Sequence, residues 1–240
     1  MIGSFSIMQG SDSEALESFH AALAMVDQCK PDKKPPPENE ASWWRRIGQI
    51  HYERGDLESG ASAIHNALNC LQRDFPESDQ MWALVGAREK LRKLALSVTP
   101  ESVLVLEDDA ERFAASESCE LMAAVAEINL RQSKFQRAEA LGEWSLNDSA
   151  GLGNHVSRVK ALCFGGTVAS IQGKRRKAMR YFDQAMEMAD ELSDSIQWVQ
   201  TAFQKWELGL GATIDADDFR ELDGITEVAQ ARGARDLHEQ

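Results

Sequence analysis

The stretch Trp44–Leu71, WRRIGQIHYERGDLESGASAIHNALNCL, decides the fold. Apolar residues recur at three- and four-residue spacing through 43–50 and again through 57–71, which is the period of an amphipathic α-helix. Between the two runs, Gly55 is suited to the residue just beyond a helix and Asp56 to the N-cap of the next one. The stretch therefore predicts two antiparallel helices joined by a short turn.

The first of these helices carries a pattern that returns along the chain. Trp44 is followed three residues later by an aliphatic residue and then by a small one, and the same order starts at Trp82. The small residues are Gly48, Gly86, Ala126, Gly166 and Ala202, at intervals of 38, 40, 40 and 36 positions. A small residue at such a site lets the second helix of a pair approach closely. The sequence thus predicts a repeat with a period near 40.

The second helices share a small-large-small signature. It occurs at Ala15, Phe19, Ala22, then at Gly60, Ile64, Ala67, then at Ala178, Phe182, Ala185, and more weakly at Ala138, Gly142, Ser145. Between 101 and 117 the signature cannot be placed. The helix expected there is therefore irregular or displaced.

These residues resemble the tetratricopeptide repeat, most closely in Trp44–Leu71 and next in Leu162–Ala189. The resemblance implies an all-α chain folded as an α-solenoid of antiparallel helix pairs, a TPR-like superhelix. Its period of about 40 exceeds the roughly 34 residues of the minimal unit.

On this basis the chain is expected to form a single array over 1–240. Its parts are a partial repeat at 1–29, a Pro-rich linker at 30–40, repeats at 41–76, 119–150 and 156–192, a degenerate repeat at 79–117, and a C-terminal degenerate or capping repeat at 195–233. The linker contains three consecutive prolines, which favour an extended segment, although a docking motif for a Pro-recognising module remains an alternative.

At the start of the chain, the repeat pattern begins near the end of a first helix. We therefore expect either a piece of a larger protein or a truncated first helix, with the apolar face of Ser13–Gln28 lacking a cover. This predicts self-association through the partial repeat or a missing N-terminal partner segment.

In tetratricopeptide proteins the first helices line a concave groove that holds a peptide or helix of a partner protein. Carried onto the matching positions, the groove would show Arg45, Gln49 and Tyr52, then Ala123, Glu127 and Leu130, then Lys160, Cys163 and Thr167. Arg45 and Tyr52 suit a partner with acidic and apolar side chains. Tetratricopeptide proteins that bind the C-terminal tails of chaperones have Asn at the positions of Gln49 and Glu127. This difference argues against a role as a chaperone receptor.

Composition narrows the kinds of partner. Asp and Glu number 39 against 26 Lys and Arg, so the formal net charge is −13 and nucleic-acid binding is disfavoured. The sequence shows no signal peptide and no membrane-spanning run. Four dispersed cysteines, Cys29, Cys70, Cys119 and Cys163, are expected to be buried free thiols of a reducing compartment, which places the chain in the cytoplasm with the nucleus as an alternative.

Catalytic and metal-binding patterns are weak. The histidines His20, His51, His65, His155 and His238 form no metal-ligand motif, so no metal or cofactor is expected. Carboxylates at Glu107, Asp108 and Asp109 and at Asp215, Asp217 and Asp218 form two clusters; the second is interpreted as a helix start rather than a cation site. The basic patch Lys174, Arg175, Arg176 and Lys177 is interpreted as an exposed turn and helix start.

The resulting expectation is a non-enzymatic interaction scaffold or adaptor. A regulatory or sensor segment of a larger protein or complex is an alternative, and an enzyme built on an α-solenoid is disfavoured.

Overall fold

The computed structural model describes residues 12–72, 75–76, 78–98, 106–153, 155–209 and 216–231. Ten α-helices fill most of these residues, and no strand occurs among them. The prediction of an all-α chain is therefore confirmed. None of the helices in these ranges combines the length and the apolar character needed to cross a bilayer.

The chain divides into two compact units, Met1–Glu77 and Ser78–Gln240. The division falls between the predicted ranges 41–76 and 79–117. In unit 1 the described helices are α1 (Asp12–Gln28), a 3₁₀ turn (Pro31–Lys33), α2 (Pro37–Glu53) and α3 (Leu57–Cys70). Within this unit α2 packs against both α1 and α3.

The apolar face of α1 is buried. Its residues Ala15, Phe19 and Leu23 form one core cluster with Ile47 and Ile50 of α2. The expectation that this face would lack a cover is therefore wrong, because α2 packs on the same face.

The Pro-rich segment is shorter than predicted. Lys34 and Pro36 are extended, but α2 begins at Pro37, inside the range 30–40 that was expected to be a linker. Proline is tolerated at the first helical position because the N–H that it lacks has no helical acceptor there, and its fixed φ already suits the helix. The third proline therefore starts a helix rather than extending the linker.

The α2–α3 pair shows why small residues recur in the first helices. A Cβ added to Gly48 would lie 2.8 Å from Cγ1 of Ile64. Gly55 takes a φ of +80° in the turn, and the Asp56 carboxylate accepts the Ser59 N–H at 3.1 Å as the N-cap of α3. The predicted turn and the predicted close approach of the second helix at the small residue are both confirmed here.

Unit 2 contains seven α-helices in its described part. They are α4 (Asp79–Val98), α5 (Asp109–Arg131), α6 (Phe135–Ser149), α7 (Val156–Ile171), α8 (Arg175–Glu191), α9 (Ser195–Gly209) and α10 (Ala216–Ala231), with a 3₁₀ turn at Ala150–Leu152. From α5 to α10 each helix packs on the next, and α5 also contacts α7, as α7 contacts α9. In α7 and α8 the small-large pairing recurs, since a Cβ on Gly166 would lie 2.6 Å from the Phe182 ring.

Helix α4 does not follow this order. It packs on α6, and the next helix, α5, runs unbroken across the end of the predicted range 79–117 into 119–150. The small-large-small signature of second helices is missing from 109–117 because these residues begin α5. That helix takes the position of the first helix in its pair. Residues 101–105 lie outside the described part of the chain.

One turn geometry closes three of the helix pairs. Gly55 between α2 and α3, Ser133 between α5 and α6, and Gly173 between α7 and α8 all have positive φ, at +80°, +59° and +71°. In each case one residue separates it from the end of the first helix, and the chain reverses within a few residues.

Helix α5 depends on a cap. The Asp108 side chain accepts the N–H groups of Ala110 and Glu111, both at 2.9 Å. We expect Asp108→Ala to lower the free energy of unfolding by about 1 kcal/mol, measured by urea denaturation with far-UV circular dichroism. Asp108→Asn keeps the acceptor and should stay close to the unaltered protein; equal losses in the two variants would contradict the capping role.

Candidate interaction surfaces

The first helices of unit 2 lie side by side, and we call α5, α7 and α9 the first-helix layer. Their contacts join side chains about one period apart in sequence. The pairs are Ser116 with Ser157 at 2.6 Å, Glu120 with Lys160 at 3.0 Å, and Cys163 with Thr201 at 2.8 Å, separated by 41, 40 and 38 positions. Equivalent positions of neighbouring pairs are therefore adjacent in space.

Six of the predicted groove residues belong to helices of this layer: Ala123, Glu127 and Leu130 to α5, and Lys160, Cys163 and Thr167 to α7. Glu127 of α5 is exposed and binds Arg131 at 2.7 Å, one helical turn away. Lys160 of α7 binds Glu120 of α5, and the Thr167 hydroxyl donates to the carbonyl of Cys163 at 3.1 Å. The charges on this surface are thus largely paired within the layer.

The other predicted groove residues belong to unit 1. Arg45 is only 4% exposed and donates to the exposed Gln49 at 3.3 Å. The Tyr52 ring lies against α3, where a Cβ on Gly60 would be 2.7 Å from it. Arg45 and Tyr52 therefore contribute chiefly to packing inside unit 1.

The basic patch begins α8, as predicted. Lys174 is the N-cap residue and Arg175 the first helical residue. Lys174 binds Glu139 at 3.3 Å, Lys177 binds Glu143 at 2.6 Å, and Arg175 donates to the Gly209 carbonyl at 3.1 Å. Much of the positive charge in this patch is therefore directed at carboxylates of α6.

Sequence reasoning missed the polar contact between α4 and α6. Glu143 of α6 is 5% exposed, yet it binds Lys93 of α4 at 2.9 Å as well as Lys177. Burial alone would raise the pKa of Glu143, but the hydrogen bonds and charges of the two lysines outweigh it and lower the pKa. Tyr181 of α8 bonds Lys93, and burial, with the negative charge of Glu143, raises its pKa to about 12.

A second carboxylate lies one helical turn away on α6. Glu139 binds Lys90 at 3.1 Å and accepts from Gln172 at 2.9 Å, in addition to Lys174. Burial again opposes ionisation, but these partners together lower its pKa to about 2. Both carboxylates are thus held in the charged form by cations from two other helices.

The same contact buries a carboxylate of α4 itself. Glu89 is buried, binds Arg88 at 2.7 Å and accepts from the Asn147 amide at 2.9 Å. Arg92 reaches Asp148 at 2.6 Å. These charged groups are accompanied on α4 by Trp82, which is 3% exposed, and by Gly86, where an added Cβ would lie 3.5 Å from the Cβ of Ala140 on α6.

The opposite face of α4 is apolar and exposed, and we call it the outer seam. It consists of Leu84, Ala87, Leu91, Leu94 and Val98. The four larger side chains are 61–72% exposed. Their alternating spacing of three and four, interrupted by charged residues, is the signal from which the sequence could have revealed this face.

The cysteine prediction is correct only in part. All four are free thiols, but only Cys119 is fully buried, while Cys29, Cys70 and Cys163 are partly accessible. Burial raises the pKa of Cys119 to about 12 and that of Cys163 to about 11. An apolar neighbourhood in sequence does not decide which side of the helix a thiol occupies.

The remaining polar candidates form no shared site. No group of three or more His, Cys, Asp or Glu side chains in the described ranges is arranged to hold a metal ion. Asp108 of the first carboxylate cluster is a helix cap. Asp215 and His238 lie outside the described residues, and α10 begins at Ala216.

A scan against models of known protein families finds no match to this chain, and a search of curated proteins also finds none.

Proposed function

We propose that this protein is a non-enzymatic interaction scaffold with tetratricopeptide-like helix pairs, and that the first-helix layer of unit 2 holds a peptide or helix of a partner protein. The observation that supports this most directly is the set of contacts between residues 38–41 positions apart on α5, α7 and α9. Helix pairs that repeat in this way bring their first helices into one continuous surface.

The chemistry of that surface favours binding over catalysis. Half-buried Ala123 and exposed Glu127 lie one helical turn apart on α5, in the same layer as Lys160 and Thr167 of α7. Because Lys160 and Glu127 already bind Glu120 and Arg131, the surface is mixed and nearly neutral. Such a surface suits a partner segment with both polar and apolar side chains.

The test places positive charge in the layer. We expect the double variant Ala123→Lys with Glu127→Lys to lose the proteins that the unaltered chain retains in affinity purification read by mass spectrometry. The two lysines would place unpaired positive charge beside Arg131. A partner segment that fits a nearly neutral surface should therefore bind the variant poorly.

The matched control is Gln184→Lys with Glu187→Lys, which changes two exposed residues of α8 and adds the same charge. Both variants should keep the helical circular dichroism of the unaltered chain. If all three proteins retain the same set, the first-helix layer is not the binding surface.

A further inference from the structure

Helix α4 departs from the usual amphipathic arrangement, although one large apolar residue, Trp82, is buried at 3% exposure. In a surface helix the apolar stripe ordinarily faces the core and the charged face meets water. Here Glu89, with Lys90, Arg92 and Lys93, is directed to carboxylates and amides of α6, while the outer seam is left exposed. An exposed apolar stripe of this length is typical of an interaction surface.

The seam has coiled-coil spacing. Leu84, Leu91 and Val98 lie seven residues apart, and Ala87 and Leu94 take the intermediate positions. These are the a and d positions of successive heptads, which interlock with the same positions of a facing helix. Exposed residues scattered over a helix surface would not keep this register.

The residues beside the seam do not select an oppositely charged partner. Such positions carry the charges that set partner choice in coiled coils. Here Ala83 and Ala95 are small and uncharged, while Arg88 binds Glu89 and Lys90 binds Glu139 within the same chain. With these cations already neutralised, two identical helices can meet without strong repulsion.

The seam is also complementary to itself. When two such helices run antiparallel, Ala87 of one faces Leu91 of the other, and Leu84 faces Leu94, so that each of these layers stays filled and the small residue meets a large one. The pairing relates the two copies by a two-fold axis and therefore closes. The chain as a whole has a net charge of −13, but four basic residues are concentrated in 88–93. The pairing therefore uses a basic part of the chain.

We propose that the outer seam of α4 binds the outer seam of a second copy of this chain, forming an antiparallel, two-fold symmetric dimer. The proposal is independent of the first-helix layer, because it uses α4 alone. It differs from self-association through the N-terminal segment, whose apolar face α2 already covers.

The test is sedimentation velocity from about 1 to about 100 µM, a range that brackets a micromolar dissociation constant. The unaltered chain should sediment as a dimer that dissociates on dilution. Leu91→Glu and Leu84→Glu should each weaken dimerisation at least about tenfold, since a charge enters the centre of an apolar layer. The control Leu57→Glu makes the same change at a leucine that is 50% exposed on α3, and it should remain dimeric.

Three outcomes would overturn the proposal: a monomer at every concentration, a dimer unaffected by Leu91→Glu and Leu84→Glu, or equal weakening by Leu57→Glu. Circular dichroism on every variant separates dissociation from unfolding. The Ala123→Lys, Glu127→Lys protein should still dimerise, and Leu91→Glu should still retain partner proteins. A monomeric chain that loses its partner proteins through Leu91→Glu would show that a different protein occupies the seam.

Discussion

Phe182→Ala should lower the free energy of unfolding of unit 2 by about 3–5 kcal/mol, the range observed when a large buried aromatic residue is removed. The ring is 1% exposed and packs with Ala169 and Ala178. These small neighbours have little freedom to fill the space, so most of the cavity should remain. Urea denaturation measures the loss, and Phe203→Ala, at a ring that is 42% exposed on α9, should cost about 1 kcal/mol or less.

A second substitution, at the neighbouring Gly166, tests the same contact. Gly166→Ala alone should cost about 1–3 kcal/mol, because its methyl group would press on the Phe182 ring. In the Phe182→Ala protein the same change should stabilise by about 1 kcal/mol, since the obstruction is gone and alanine favours the helix. If Gly166→Ala has the same effect in both backgrounds, the close approach of α7 and α8 does not depend on this pair.

Acid is expected to destabilise unit 2 through Glu139 and Glu143. Their folded-state pKa values lie below the value of about 4.3 for an unfolded glutamate, so the unfolded chain takes up these protons first as the pH falls. Their contribution is therefore complete above that pH and is lost between about pH 4 and about pH 2. For Glu139 we expect a loss on the order of 1–2 kcal/mol, reduced by solvent screening of the half-exposed Lys90.

The variant Glu139→Gln isolates this contribution. It should be less stable than the unaltered chain at neutral pH and should lose less stability on acidification, as urea denaturation across the pH range would show. Glu187→Gln changes an exposed glutamate of α8 and should keep the unaltered slope. Identical slopes for Glu139→Gln and the unaltered chain would contradict the role of the α4–α6 contact.

The helix pairs could be predicted from sequence because their signals are local. Gly48 and Ile64, or Gly166 and Phe182, lie 16 positions apart and follow helical periodicity on either side of a recognisable turn. The start of α2 was misplaced because a run of prolines predicts extended backbone without showing which proline begins the helix.

The placement of α4 could not be predicted in this way. Its partners on α6 lie 49 or more positions away, as with Lys93 and Glu143 or Arg92 and Asp148, and no periodicity links them. A pattern-based interpretation assumes that apolar residues face the core, but on α4 Trp82 is buried while Leu84, Leu91, Leu94 and Val98 are exposed. The prediction of the groove was limited in a similar way, because matching Arg45 to a repeat position did not reveal that its side chain is buried.

The positive φ at Ser133 has a consequence for stability. Glycine adopts this conformation at no steric cost, as at Gly55 and Gly173, whereas Ser133 incurs roughly 1–2 kcal/mol of strain. The contacts between α5 and α6 must therefore outweigh this strain to hold the turn closed. The same holds for Ser193, whose φ is +56° between α8 and α9.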